Sequence, residues 1–167
     1  MAAGQAPRAA VLACADSRVP PEVVFDQGIG DLFVVRVAGN VVDELVLGSV
    51  EFAVATLGCR LVLVLGHSRC GAVAATVDAV EGAEVGSPHL QAIVERARPA
   101  VLAARPADGG SLRSVWIDRA VRENTRHSAR ALQQGSSLLD RAIRDQGVLI
   151  ASAHYSLDTG EVEFHED

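Results

Sequence analysis

Two short segments of the chain carry residue types that could bind a metal ion. The first is Cys14-Ala-Asp-Ser-Arg18 and the second is His67-Ser-Arg-Cys70-Gly71. Two thiolates and one imidazole form a good three-ligand set for zinc, and a catalytic zinc ion typically leaves its fourth position to water. The residues Cys14, His67 and Cys70 therefore predict a zinc site, provided that the fold brings the two segments together.

Each of these ligand candidates also has an ordinary structural interpretation. A cysteine can serve as a small buried apolar residue, and a histidine at the end of a strand can simply be hydrogen-bonded. Both segments follow predicted strands and continue into further polar residues, which favours the metal site. The third cysteine, Cys59, has no polar partner nearby in the sequence, so we expect it in the core.

Asp16 and Arg18 form a second group of candidate functional residues, within the first segment. A guanidinium group can hold a carboxylate two residues away and keep it ionised. Such an anion could orient a water molecule on the metal, or it could itself become the fourth zinc ligand. The alternative is a structural ion pair that only shapes the loop.

Short apolar runs alternate with segments of helical periodicity, which is typical of a parallel sheet covered by helices. Runs at 9–13, 32–37 and 61–65 are almost continuously aliphatic and predict buried strands. The segments 148–155 and 161–165, with a turn at 157–160, predict a hairpin at the sheet edge. Helices are predicted to start at Pro20 and to cover 43–57, 70–80, 88–104, 111–134 and 136–146, with a loop at 105–110.

We therefore predict an α/β fold with three layers. Its mainly parallel sheet has about four parallel strands in the order 2-1-3-4, plus an antiparallel C-terminal edge strand, and helices flank it. In such sheets, sites form outside the carboxyl ends of the strands. If strands one and three are neighbours, Cys14, His67 and Cys70 converge there, and the predicted helix start at Cys70 favours a thiolate.

Composition narrows the class of protein. The 167 residues suit one domain, and 15 basic against 21 acidic residues give a net charge of −6. This balance argues against a nucleic-acid or anionic-membrane binder, because phosphate contact needs a basic surface. Three cysteines make a poor disulfide framework, and the sequence shows neither a signal-peptide pattern nor a membrane-length apolar run. We expect a cytoplasmic protein.

The two segments resemble the signature segments of the β-class carbonic anhydrases, and the resemblance covers nearly the whole chain. It rests on CADSR at 14–18, GHSRCG at 66–71, FDQGIGDLFVVR at 25–36, AGN at 38–40, GSVEFA at 48–53 and YSLDTGEV at 155–162.

The resemblance implies a zinc-dependent carbonic anhydrase with one Zn2+ per chain. Cys14, His67 and Cys70 would bind zinc, and Asp16 and Arg18 would form the catalytic dyad. The reaction would be reversible hydration of CO2 to bicarbonate and a proton by zinc-bound hydroxide. Asp16 would ligate zinc only in a closed form. A homo-oligomer, a dimer or an assembly of dimers, is expected.

The sequence departs from the family pattern at several places. Val37 stands where the family usually has Asn, Ser156 where it commonly has Asp, and Ser137 where it commonly has Pro. We expect a single domain over 1–167 that lacks the family's usual N-terminal helical arm.

Two other functions fit the same motifs. One is a hydrolase of a CO2 analogue, carbonyl sulfide or carbon disulfide. The other is a non-catalytic structural or regulatory zinc module with Asp16 as a permanent fourth ligand. Four further histidines could shuttle protons, although surface or packing roles explain them more readily: His89, His127, His154 and His165.

Overall fold

The computed structural model describes residues 2, 4–107 and 112–165. Its sheet contains β1 (Ala9–Cys14), β2 (Leu32–Val37), β3 (Leu61–His67), β4 (Leu149–Tyr155) and β5 (Val162–Phe164). The strand order is β2-β1-β3-β4-β5. The first four strands are parallel and β5 runs antiparallel to β4. The predicted sheet order and the antiparallel edge strand are thus confirmed.

The described residues form six α-helices and one 3-10 turn at Ala38–Asn40. The helices are α1 (Pro21–Val24), α2 (Glu44–Ala55), α3 (Gly71–Val80), α4 (Pro88–Ala103), α5 (Arg113–Gly135) and α6 (Ser137–Gln146). The side chains of Asp43, Ser87 and Ser136 cap α2, α4 and α6 by accepting backbone N–H bonds. The predicted helix start at Ser111 and residues 108–110 of the predicted loop lie outside the described residues.

The central strands are buried on both faces, as their aliphatic sequences predict. On one face, Leu12 and Val64 pack with residues of α2, α5 and α6. On the other face, Val11 and Leu65 pack against α1 and its flanking loops, Val19 among them. No helix in the described ranges combines the length and apolarity needed to cross a membrane.

The C-terminal strand β5 is tied to the rest of the fold by polar contacts. Arg122 of α5 binds Glu163 at 2.8 Å, and His165 Nδ1 lies 3.0 Å from Ser152 Oγ of β4. Burial lowers the pKa of His165 to about 4, and the guanidinium groups of Arg126 and Arg122 add to this effect. The hairpin is therefore built around a neutral imidazole.

We expect this imidazole to make stability depend on pH. The pKa of His165 is about 4 when folded and 6.5 as a free side chain, so between these values the unfolded chain binds a proton that the folded chain does not. The free energy of unfolding should therefore fall as the pH is lowered through that range. Urea unfolding at pH 7 and pH 5 should show a smaller fall for His165→Gln than for wild type. The control is His127→Gln on α5, and equal falls in all three proteins would contradict the prediction.

Candidate metal centre

The parallel pairing of β1 with β3 brings the two predicted segments together. Cys14 is the last residue of β1, His67 is the last residue of β3, and Cys70 directly precedes α3. All three side chains are buried, and their ligand atoms lie within 4.8 Å of one another. The structure thus places the three predicted ligands in one cluster.

The donor atoms of this cluster fit a tetrahedral zinc ion. The two Sγ atoms are 3.9 Å apart, and thiolates on tetrahedral zinc lie about 3.8 Å apart. His67 Nδ1 donates to the Ser68 carbonyl at 2.9 Å, so its Nε2 keeps a free lone pair. That Nε2 is buried and has no hydrogen-bond partner among the described residues. A metal ion would satisfy it.

The two thiols share one proton in the protein alone. The hydrogen bond from Cys70 lowers the pKa of Cys14, against the opposing effect of burial, and His67 and the Gly39 N–H add to the lowering. The same pairing and burial raise the pKa of Cys70. Because a divalent cation stabilises both thiolates, its binding would release the remaining proton.

Asp16 and Arg18 are joined by a two-pronged ion pair at the rim of the cluster. Arg18 Nε donates to Asp16 Oδ1 at 2.9 Å and Arg18 Nη2 donates to Oδ2 at 2.7 Å. This guanidinium holds the pKa of Asp16 well below its usual range. Asp16 Oδ2 also lies 3.9 Å from His67 Nε2. An ionised acceptor therefore stands beside the ligand cluster.

Comparison with known proteins agrees with this arrangement. The family model described as carbonic anhydrase matches residues 9–162. The chain is 42% identical to carbonic anhydrase 2 of Mycobacterium tuberculosis over 160 residues, which is 96% of this chain and 75% of that protein. The chain belongs to the β-carbonic anhydrase family.

Further relatives show the same likeness. The carbonic anhydrase of Mycolicibacterium smegmatis is 42% identical over 159 residues, covering 95% of this chain and 75% of that one. The crystal structure of the β-carbonic anhydrase CafA of Aspergillus fumigatus superposes with a TM-score of 0.88 at 27% identity, covering 99% of this chain and 78% of that chain. A Coccomyxa β-carbonic anhydrase in complex with acetazolamide gives 0.83 at 26% identity, with 98% and 74% covered.

In this member of the family, four hydrogen bonds to the site segments were not predicted from the sequence. Arg36 of β2 donates to the carbonyls of Cys14 and Asp16 at 2.9 and 2.5 Å. Ser68 Oγ accepts from Leu157 N at 2.9 Å, which joins the β4–β5 turn to the His67 loop. Gly39 N donates to Cys14 Sγ at 3.3 Å. Only Arg36, a lone charge within an apolar strand, carries a signal that could have been recognised.

The other candidate residues lie outside the ligand cluster. Cys59 is 1% exposed in the core beneath α2 and α6, and burial raises its pKa. Within the described residues, the metal-ligand cluster contains none of the four further histidines. His154 is buried in β4 and His165 follows β5, whereas His89 is exposed on α4 and His127 is partly exposed on α5.

A test of the centre compares the cysteines. We expect purified Cys14→Ser and Cys70→Ser proteins to lose most of their zinc, because each loses one of three ligands. Cys59→Ser is the matched control and should keep about one zinc ion per chain. Elemental analysis by mass spectrometry gives the stoichiometry. Full zinc in the Cys14 variant, or loss of zinc only in the Cys59 variant, would refute the ligand set.

Proposed function

We propose that the chain is a zinc-dependent carbonic anhydrase that catalyses the reversible hydration of CO2 to bicarbonate and a proton. The observation that carries this proposal is the position of Asp16. Its carboxylate is kept ionised by Arg18 and lies 3.9 Å from the unpaired Nε2 of His67. In the structural module Asp16 would be a fourth zinc ligand, whereas in the enzyme it would be an acceptor beside the ligands, and the assay below separates the two roles.

In this proposal Cys14, His67 and Cys70 hold the ion. Zinc held in this way supplies Lewis acidity, which lowers the pKa of a water molecule to about 7 and makes hydroxide available at neutral pH. The two thiolates balance the charge of the divalent ion, so the centre as a whole would be almost uncharged. The Ser68 carbonyl fixes the tautomer and orientation of His67.

Asp16 would accept a hydrogen bond from the attacking water and so orient its lone pair toward CO2. Arg18 performs the supporting task, because its two N–H bonds fix the carboxylate and keep it from being protonated. Asp16 Oδ1 accepts two N–H bonds, from Arg18 N and Nε, whereas Oδ2 accepts only the bond from Nη2. The remaining lone pair of Oδ2 is therefore the one that would accept from the water or, in the closed form, bind the metal.

A largely apolar cavity lies beside the site, although no metal-ligand candidate and neither residue of the Asp16–Arg18 pair lines it. The cavity has a volume of about 480 Å³, lies between α3 and α4 and reaches Ala38 and Gly71, next to the site segments. Its lining is mainly alanine, glycine and valine. Such a lining accepts CO2 and equally its linear analogues carbonyl sulfide and carbon disulfide, so assays must separate these substrates.

Stopped-flow CO2 hydration tests the proposal and the role of Asp16 together. We expect zinc-loaded wild type to be active and Asp16→Asn to be at least about 10²-fold slower in kcat, the usual scale for a positioned acid–base group. Asp140→Asn is the matched control, because Asp140 forms a surface ion pair with Arg144 on α6.

Three outcomes would contradict the proposed function or the role of Asp16 in it. An inactive zinc-loaded wild type would leave a structural zinc module, and preferred turnover of carbon disulfide would indicate the hydrolase. An Asp16→Asn protein as active as Asp140→Asn would remove Asp16 from the mechanism.

We also propose that two copies of the chain form a homodimer through α2 and β2. The α2 helix carries apolar side chains on its outer side, where Leu45 is 81% and Phe52 is 46% exposed. Strand β2 is the sheet edge, and all six of its residues are partly exposed. An unpaired strand edge next to exposed apolar side chains is typical of an interaction surface. A second copy of the chain would bury it against the same surface across a two-fold axis. A solved β-carbonic anhydrase from Sordaria macrospora, 22% identical, is described as tetrameric.

Sedimentation velocity tests the dimer. We expect wild type to sediment as a dimer or larger species and Leu45→Glu to shift toward monomer, because the interface would then have to desolvate a carboxylate in place of an apolar side chain. Leu102→Glu is the control, since Leu102 is 48% exposed on α4 and belongs to neither α2 nor β2. A monomeric wild type, or equal dissociation by both variants, would overturn the proposal.

The family match over 9–162 supports a single domain. Cys14, Cys59 and Cys70 are all unpaired, and two of them must remain thiolates to hold zinc, which favours a reducing compartment such as the cytoplasm.

A further inference from the structure

We propose that Asn124, on α5, is a positioning residue for the Cys14 metal ligand. Asn124 Nδ2 donates a hydrogen bond to the Gly39 carbonyl at 2.8 Å. The N–H of the same glycine donates to Cys14 Sγ at 3.3 Å. A side chain remote in sequence from the ligands thus reaches the thiolate through one backbone residue.

The burial of Asn124 shows what its amide is used for. The residue is 1% exposed, and its Oδ1 has no hydrogen-bond partner among the described residues. Burying an amide with one atom unpaired opposes folding. The amide is therefore not explained as a stabiliser of α5, and the hydrogen bond that its Nδ2 donates goes to Gly39.

The orientation of Gly39 depends on such contacts, because glycine has more backbone freedom than any other residue. Its φ of +73° lies in the left-handed region that favours glycine, and a Cβ there would lie 3.1 Å from the Ala72 Cβ of α3. Its carbonyl is fixed by Asn124, and its N–H then points at the sulfur. Without the amide, the carbonyl loses its partner and the turn can rotate, which would weaken the N–H bond to Cys14.

An N–H bond to a metal-bound thiolate withdraws electron density from the sulfur and fixes its direction. Contacts of this outer kind typically change metal affinity by about 10- to 100-fold. The inference rests on the proposed function in one respect, that Cys14 binds zinc, and it does not depend on which substrate is turned over.

The test replaces Asn124 with leucine, which has nearly the same volume and no donor. The control is Ser128→Ala, a buried polar residue one turn further along α5. Zinc affinity is measured by competition with a chelator, the thiolate-to-metal charge-transfer band is recorded on the cobalt-substituted protein, and the free energy of unfolding is measured on the metal-free chain.

We expect Asn124→Leu to bind zinc about 10-fold more weakly than wild type, the lower end of the range for a direct partner of a ligand, and to shift the cobalt band. Ser128→Ala should leave both unchanged, and the metal-free stability of Asn124→Leu should stay close to that of wild type. Unchanged affinity and band, or the same change in Ser128→Ala, would overturn the proposal, as would an affinity loss that only follows a loss of folding.

Asn124→Ala serves as the second variant if the leucine protein does not fold, with the same expected and overturning results. A wild type that binds zinc but does not hydrate CO2 would overturn the proposed function and leave the Asn124 result intact. A wild type that binds no zinc would overturn both.

Discussion

The parallel pairing of β1 with β3 is the constraint on which the site depends. It aligns Ala13 with Leu65, so Cys14 and His67, one and two residues further along, end their strands at the same edge of the sheet. Both strands are interior and nearly fully buried. A slip in their register would therefore expose the core and, at the same time, move Cys14 away from His67. Fold and site are thus specified by the same aliphatic residues.

Charge is the second condition on the site. Two buried thiols and a carboxylate lie close together, and without a cation the thiols and the carboxylate differ in their protonation states. The proton shared by Cys14 and Cys70 avoids two adjacent buried thiolates, whereas Asp16 stays ionised because Arg18 is attached to it. A divalent ion completes this balance, since it stabilises both thiolates and leaves the Asp16–Arg18 pair neutral as a whole.

The features that could be predicted from the sequence are those that depend on residues close together in the chain. The aliphatic runs of β1, β2 and β3 indicated buried strands, and the motifs at their ends indicated the ligands. The contacts it missed join residues distant in the chain. Nothing near Asn124 in the long polar helix α5 marks a partner at Gly39, and nothing near Ser68 marks its bond to Leu157. Such contacts depend on how elements pack, which local patterns do not encode.

The close packing of β3 against α5 fixes the positions of the residues that make those distant contacts. A Cβ at Gly66 would lie 2.0 Å from Thr125 Oγ1, so the helix rests directly on the strand that ends in His67. Asn124 directly precedes Thr125, so the same close approach of α5 to β3 places Asn124 next to Gly39. Arg36 from β2 then holds the Cys14 segment, Asn124 from α5 holds the turn at Gly39, and the Ser68–Leu157 bond from the β4–β5 turn holds the His67 segment. The ligand cluster is therefore assembled only when the whole domain is folded, and metal binding and folding stabilise each other.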